Sequence, residues 1–415
     1  MSKWILIDRK CLSPLLLVLS LCLWIGEGLS AREPYRVQLL VGVESALVDA
    51  PNLVDLKRDL TTAAIQELIP IYTPTTLLNL NIDLRGLNLI GSFAANSTTL
   101  NVEFPNLGIS ASFTGSTRDE SWALFRDYIR DAGARSKLLK AYARYSPIDI
   151  IAGNPNSLMA LMADADYLLS GYEQLGECHT SCGRAHCGVS QYQVKAGFLR
   201  GFSQGYDTSS FSLPLRYSFS PNRKIDLLWD LPITYNRNGG ASSLAASMGS
   251  GIRYHVNDRW NLTSLLRLGV GGSLDLCTSG GFLSGGVNSA YDYPTGFGRL
   301  SIVNYVGYTH SIDLWLTGIN FNYHIHEWIF KNGLIFETPD TFSLFHRNFR
   351  LSLIFTDTLF TGDKLYIEHY DEVGVRVTMN SCLNGRKRSC LAWGVNYQFG
   401  EKKYHGYSVN LLYQF

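Results

Sequence analysis

Two kinds of side-chain cluster in this chain have the residue types to do chemistry. The first is CHTSCGRAHC, where Cys178, Cys182 and Cys187 stand beside His179 and His186. Thiolates and imidazoles this close could hold zinc, but the spacing lacks the paired CxxC arrangement of structural zinc sites. An oxidised loop fits better, with one of the three paired to Cys277. Cys382 and Cys390 bracket the polar stretch LNGRKRS and are expected to close it as a second disulfide. The second kind is a possible nucleophile, base and acid: His310, Ser311 and Asp313 in HSID, and His324, His326 and Glu327 in YHIHE. A Ser–His–Asp triad is defined by geometry rather than adjacency, and both clusters fall at predicted turns, where polar residues belong in any case. No P-loop and no GxSxG is present. Gly269, Gly271 and Gly272 in GVGGS suit a bent strand or close inward packing better than phosphate binding. No catalytic residue, metal or cofactor is therefore assigned.

The elements that must position these residues are mostly strands. In IDLLWDLPITYN, Ile225, Leu227, Trp229, Leu231, Ile233 and Tyr235 share one face, and Asp226, Asp230, Thr234 and Asn236 share the other. FSLPLRYSF does the same, with Phe211, Leu213, Leu215, Tyr217 and Phe219 on one face, and the short SPNRK joins the two as a hairpin. WNLTSLLRLGVGGSL, NFRLSLIFTD and LAWGVNYQF repeat the pattern. These runs of about nine to fifteen residues exceed the ~5–6 typical of globular strands and are long enough to cross a bilayer at a tilt. Aromatic residues such as Trp260, Tyr217 and Tyr235 sit near their ends, as at a membrane interface. Backbone groups in lipid must all be paired, so such strands have to close into a barrel. About ten to twelve strands are expected between residues 190 and 415, an even number. LYIEHYDEVGVRVTMN, residues 365–380, reads as one long strand or a tight hairpin.

The chain has 415 residues, 46% hydrophobic and only 17% charged. Residues 1–31 read as a signal peptide: Lys3, Arg9 and Lys10 precede an apolar run from Leu12 to Ile25, and Gly28, Ser30 and Ala31 offer a cleavage site. Leu21 before Cys22 argues against a lipoprotein. Removing residues 1–31 leaves equal numbers of basic and acidic residues, so no charge bias points to a nucleic-acid partner. No later apolar stretch is long enough for a transmembrane helix.

Residues 32–150 read as a small α+β region of periplasmic or plug type. Arg36–Val43 is strand-like, Asn52–Leu68 has helical spacing, and Leu78, Leu80, Ile82 and Leu84 share a strand face. STRDESWALFRDYIRDA opens on Ser116 or Thr117 as a cap, with Trp122, Phe125 and Ile129 on one helical face. Residues 151–189 form a helix and a cysteine-rich linker. Asn154–Pro155 predicts a helix start, and helical spacing runs to Tyr172. Such a helix is roughly 27 Å long at about 1.5 Å per residue. It either plugs the barrel or packs on the region before it.

With a signal peptide, NPNSLMALMADADY directly before the barrel, and an alternating final segment YSVNLLYQF, the chain resembles the autotransporter β-domain family, in particular the solitary type. The resemblance covers residues 150–415. It implies a twelve-stranded barrel threaded by a helix. The region before the helix lacks the repetitive character of a long passenger, so the type without a large passenger is the better match. The resemblance also implies that the last strand, with Tyr407, Val409, Leu411, Tyr413 and Phe415 on one face, is the signal read by the barrel assembly machinery.

The reading is thus an all-β transmembrane antiparallel barrel of the bacterial outer membrane. It would be non-enzymatic, with a structural, transport or surface-interaction role, and in contact with outer-membrane lipid and the assembly machinery. Arg216, Asp226, Asp230, Arg253 and Arg267 are expected to line a mixed-charge lumen. The alternative is an outer-membrane lipid hydrolase using the Ser311 region.

Overall fold

The computed structural model describes residues 32–130, 132–169, 189–316, 318–339, 342–344, 347–383 and 386–414. The expected signal peptide, Phe415 and the cysteines of residues 178–187 lie outside the described residues.

The N-terminal region folds as a six-stranded antiparallel sheet with helices on one face. Its strands are β1 (Tyr35–Val41), β2 (Glu44–Ala50), β3 (Leu78–Leu84), β4 (Leu87–Phe93), β5 (Thr99–Phe104) and β6 (Ile109–Thr114), in the order β2-β1-β3-β4-β5-β6. Period-2 alternation puts Val37, Leu39, Leu78, Leu80, Ile82, Leu87 and Leu89 on the buried face. The helical spacing of residues 52–68 is split into α1 (Leu53–Asp59) and α2 (Thr62–Leu68). The break occurs at Thr61, whose hydroxyl accepts from the Ala64 N–H and starts a new helix. Helix α3 (Arg118–Arg130) begins after Thr117, whose Oγ1 accepts from Glu120 N, and Glu120 reaches back to Ser116 N as in a capping box. Trp122 and Phe125 pack against Phe93, Phe104 and Phe113. Helix α4 (Ala132–Tyr145) follows, then α5 (Leu158–Tyr167).

Twelve long strands form the barrel: β7 (Val189–Ser203), β8 (Tyr206–Asn222), β9 (Ile225–Asn238), β10 (Ala241–His255), β11 (Trp260–Ser273), β12 (Thr278–Thr295), β13 (Gly298–Ile312), β16 (His326–Glu337), β18 (Arg347–Gly362), β19 (His369–Leu383), β20 (Arg386–Gly400) and β21 (His405–Gln414). A small hairpin, β14 (Leu314–Leu316) and β15 (Ile319–Phe321), and a short β17 (Phe342–Leu344) decorate the turns. Pairing of β21 with β7 and of β16 with β18 closes the ring, so no strand edge is left to lipid. In the predicted hairpin Tyr217 faces Trp229, and Phe219 faces Leu227. Residues 365–380 resolve the sequence alternative: a buried loop carries Leu365–Ile367, and a single strand begins at His369.

The outer wall is apolar. Leu213, Leu231, Ile233, Met248, Ile252, Leu266, Leu268, Leu334, Leu353 and Val375 all project outward and are exposed. A continuous exterior of this kind is incompatible with water and suited to lipid. Aromatic rings gather at both rims. Tyr192, Tyr217 and Trp229 cluster near the mouth where β7 begins and β21 ends, and Tyr397, Phe399 and Tyr407 cluster near the opposite mouth. This is the girdle arrangement of a membrane-spanning barrel in the bacterial outer membrane. Among the described residues, no helix is long and apolar enough to cross a membrane.

Candidate functional site in the barrel lumen

The Asn154–Pro155 signal marks a turn rather than the helix start. Asn154 Oδ1 accepts from Asn156 N, and the Ser157 hydroxyl caps the helix by accepting from Ala160 N. Ser157 wins because its own extended backbone (φ −73°, ψ 157°) frees its oxygen to meet the first helical N–H groups. Of the two placements the sequence allowed, the structure shows the plug: α5 runs inside the barrel against β10, β11, β12 and β13. Leu158, Met159, Met162, Ala163 and Tyr167 are buried on several sides of the helix, which a luminal position requires.

Two carboxylates interrupt this apolar helix, and each meets a cation on the wall. Asp166 Oδ1 accepts from Arg267 Nε at 2.7 Å. The same guanidinium reaches Asp230 Oδ1 at 2.7 Å and Ser247 Oγ at 3.0 Å. Tyr305 and Ser284 hydroxyls donate to Asp166 Oδ2 at 3.2 and 3.4 Å. Arg216 Nε stands 3.9 Å from Asp230 Oδ2, extending the network to β8. Asp164, two residues earlier and so on a different side of the helix, accepts from Lys331 Nζ at 2.6 Å. That ammonium also lies 5.3 Å from the Tyr167 ring centre. At the helix C-terminus Arg253 donates to the Leu169 carbonyl at 3.0 Å, where a cation meets the negative end of the helix dipole. Arg253 is held in turn by Asp226 at 3.1 Å.

All five charged residues expected in the lumen do point inward and are buried. They are largely neutralised in pairs, by one another and by the helix. Asp164, Asp166, Lys331 and Tyr305 were not singled out from the sequence. The available signal was two aspartates inside LMALMADADYLL, costly in any apolar helix without partners. Close approach needs glycine on the wall: a Cβ at Gly269 would lie 2.3 Å from Met162 Sδ, and one at Gly333 would lie 1.8 Å from the Tyr167 hydroxyl oxygen. This bears out the close-packing reading of Gly269.

On its other side α5 leaves a cavity of about 170 Å³, bounded by β7–β10, β16 and β18–β21. Lys195, Arg216, Glu372, Arg376 and Gln398 are among its polar lining. Toward the far mouth the Tyr404 hydroxyl donates to Oε1 of the lining residue Gln398 at 2.7 Å. The Tyr366 and Ser203 hydroxyls are hydrogen-bonded to each other at 3.0 Å.

That far mouth is capped by the N-terminal domain. Arg32 N donates to the Gly205 carbonyl, and the Tyr206 hydroxyl donates to Asp83 Oδ2 at 3.2 Å. Lys140 Nζ bonds the His324 carbonyl at 3.1 Å and Asp363 at 2.5 Å. Tyr366 N and Ile367 N donate to the carbonyls of Ala143 and Gly153. The Arg85 guanidinium stacks over Tyr142 at 3.5 Å. Near it, Asp149 Oδ2 accepts from the Tyr323 hydroxyl at 3.0 Å and Oδ1 accepts from the N–H groups of Ile151 and Ala152. Burial pushes the Asp149 carboxyl up from the usual range. One hydrophobic core runs from the domain, through Ile150, Ile151 and Ala152, into the barrel.

The two candidate hydrolytic clusters do not assemble. Ser311 points inward, donating to Asn322 Oδ1 at 2.8 Å and accepting from Ile325 N at 3.0 Å. His310 lies on the opposite face of the same strand and stacks on His326, with ring centres 6.3 Å apart. Asp313 accepts from the Asn320 and Asn322 amides. Adjacent strand residues face opposite ways, so HSID cannot form a nucleophile–base pair within one strand. Cys277 sits in the turn after β11, its Sγ donating to the Leu274 carbonyl. Cys382 falls on β19 and Cys390 on β20, where Cys390 is the register partner of Asn380. Tyr407 and Tyr413 project outward from β21.

Fold and site together define a class: a closed twelve-stranded outer-membrane β-barrel whose lumen holds its own helix. No family model and no curated protein matches the chain. Among solved structures, it is similar in fold to the β domain of the Bordetella autotransporter BrkA, at 13% identity over 55% of this chain and 98% of that one, with a TM-score of 0.43. It is similar to the translocator domain of the autotransporter NalP from Neisseria meningitidis at 12% identity, 62% and 96% coverage and a TM-score of 0.42. LpxR from Salmonella typhimurium matches at 10% identity, 55% and 99% coverage and a TM-score of 0.36.

Proposed function

We propose that this protein is an autotransporter-like barrel that displays its own small N-terminal domain at the cell surface, in a surface-interaction role. The observation that carries this reading is the position of the domain. It sits on the mouth opposite to the one where β7 begins and β21 ends, and α5 threads the lumen between the two. Outer-membrane barrels have short periplasmic turns and longer external loops. At the mouth near the C-terminus, residues 223–224 and 296–297 form tight turns, whereas the capped mouth carries the longer segments 313–325 and 363–368. The capped mouth also has two-residue turns at 204–205 and 239–240, and 338–346 on the C-terminal side is longer than 363–368, so it is the longest segment, 313–325, that supports an external position for the cap.

The plug and cap argue against free solute diffusion, and the bonds of Ser311 to Asn322 and Ile325 favour the surface role over the lipid-hydrolase alternative. Lipid around the wall and the assembly machinery at β21 are the partners of this reading. An epitope tag inserted between Gly42 and Val43, an exposed turn, tests it. Labelling of intact cells by antibody is the expected result. Labelling only after the outer membrane is permeabilised would place the domain inside and overturn the reading.

A further inference from the structure

A polar cluster on the outer wall is used by neither the plug nor the cap. Asp357 on β18 and His369 and Asp371 on β19 each present a ligand atom, all within 4.8 Å of one another. Asp357 and Asp371 are direct register partners across the β18–β19 ladder, and Asn332 on β16 is the partner of Asp357 on its other side. The outward neighbours Phe355, Leu359 and Val373 are apolar, and the row continues to Phe399 in the aromatic girdle.

We infer that Asp357, His369 and Asp371 bind a first-row divalent cation at the rim of the capped mouth. Three features carry this. The first is spacing: two ligands held at about 2.1–2.3 Å from one ion stand about 3–4.5 Å apart, and these three ligand atoms all lie within 4.8 Å of one another. His369 Nε2 lies 2.6 Å from Asp357 Oδ1, so a small side-chain turn admits the ion. The second is charge. Like charges directly opposed across a ladder repel, and this pair faces the lipid side of the wall. Among the described residues, no lysine or arginine forms an ion pair with Asp357 or Asp371, and the His369 imidazole is in contact with Asp357. A divalent ion cancels both carboxylates, which a neutral imidazole does not. The third is rigidity: the donors stand on paired strands whose register fixes their spacing.

Two carboxylates with an imidazole favour manganese or zinc over calcium or magnesium. Asn332 Nδ2 lies 3.4 Å from Asp357 Oδ2, and turning this amide would offer its oxygen as a fourth donor. The partly exposed side chains leave the remaining positions open toward the headgroup level. The site has a structural consequence. It would staple β18 to β19 at the base of loop 363–368, which holds Lys140, Ala143 and Gly153 of the domain side.

Manganese is the useful probe, because thiolates bind it weakly and residues 178–187 offer competing cysteines. Electron paramagnetic resonance titration of the refolded full chain with MnCl2 should show one bound ion per chain. Affinity should fall at least tenfold (on the order of 1.4 kcal/mol) in Asp371→Asn, and the Cys178→Ser/Cys182→Ser/Cys187→Ser variant should bind as the parent does. His369→Gln is the second variant, with barrel integrity checked by heat-modifiable electrophoretic mobility. No stoichiometric manganese on the parent chain, or unchanged affinity in folded Asp371→Asn and His369→Gln, would overturn the site.

Discussion

Arg267 of the barrel wall and Asp166 of the luminal helix are joined through Nε and Oδ1 at 2.7 Å, and neither side chain has any exposure to solvent. A buried guanidinium held by two carboxylates, Asp166 and Asp230, is strongly coupled to its neighbours. Removing one member leaves charge with no partner.

Arg267→Ala is therefore expected to cost about 3–5 kcal/mol, because Asp166 and Asp230 stay buried without their shared cation. The helix should loosen in the lumen and single-channel conductance in planar bilayers should rise above the parent's. Asp166→Asn combined with Arg267→Met should recover part of the loss, since it removes charge from both partners. Equal conductance and equal unfolding temperature for parent and Arg267→Ala would show that the pair does not hold the plug.

Gly333 tests the plug by shape rather than charge. A methyl group there would fall 1.8 Å from the Tyr167 hydroxyl oxygen. Gly333→Ala should destabilise by about 1–3 kcal/mol, the usual cost of overpacking, read as a lower unfolding temperature. Tyr167→Phe in the same chain should return part of it. A silent Gly333→Ala would mean that Tyr167 is not seated against β16.

The cap has a pH signature at Lys140 and Asp363. Burial raises the Asp363 carboxyl, but the Lys140 hydrogen bond and the His326 N–H outweigh it and the net shift is downward. A depressed carboxyl contributes stability that is present above its unfolded value of about 4. That contribution is lost as pH falls through the depressed folded value. Asp363→Asn should thus weaken cap docking at neutral pH by about 1 kcal/mol or less, the range for a partly exposed pair, and flatten the acid limb. Protease sensitivity of residues 32–145 against pH measures this. A parent and variant with the same acid limb would remove Asp363 from the account.

The last strand is tested by assembly. Tyr407 and Tyr413 face outward, while Leu412 is buried on the inner side. Deleting Phe415 should impair membrane assembly more than Leu412→Ala does. Equal yields of heat-modifiable barrel from the two would count against a signal role for the terminal aromatic residue.

Much of the fold was legible because strand faces are set locally. Alternation in residues 225–235 or 407–413 decides which side chains share a surface with no knowledge of the partner strand. Helix boundaries were less legible. Thr61 and Ser157 cap helices inside stretches whose spacing reads as continuous helix, and α4 has too weak a periodic signal to be read. Pairing one of Cys178, Cys182 and Cys187 with Cys277 asks for a contact between distant residues, which spacing does not supply.

The sequence by itself determined a lipid-facing barrel with inward Arg216, Asp226, Asp230, Arg253 and Arg267, since side-chain alternation is a property of each strand. Only the tertiary structure decided that Asp166 meets Arg267, 101 residues away, that α5 fills the lumen, and that the N-terminal domain closes the mouth opposite to Gln414. The same holds for Asp357 facing Asp371, which depends on the register of β18 against β19. Such relationships arise from ring closure and register, where each strand's position depends on all the others, and no local pattern of residues carries that information.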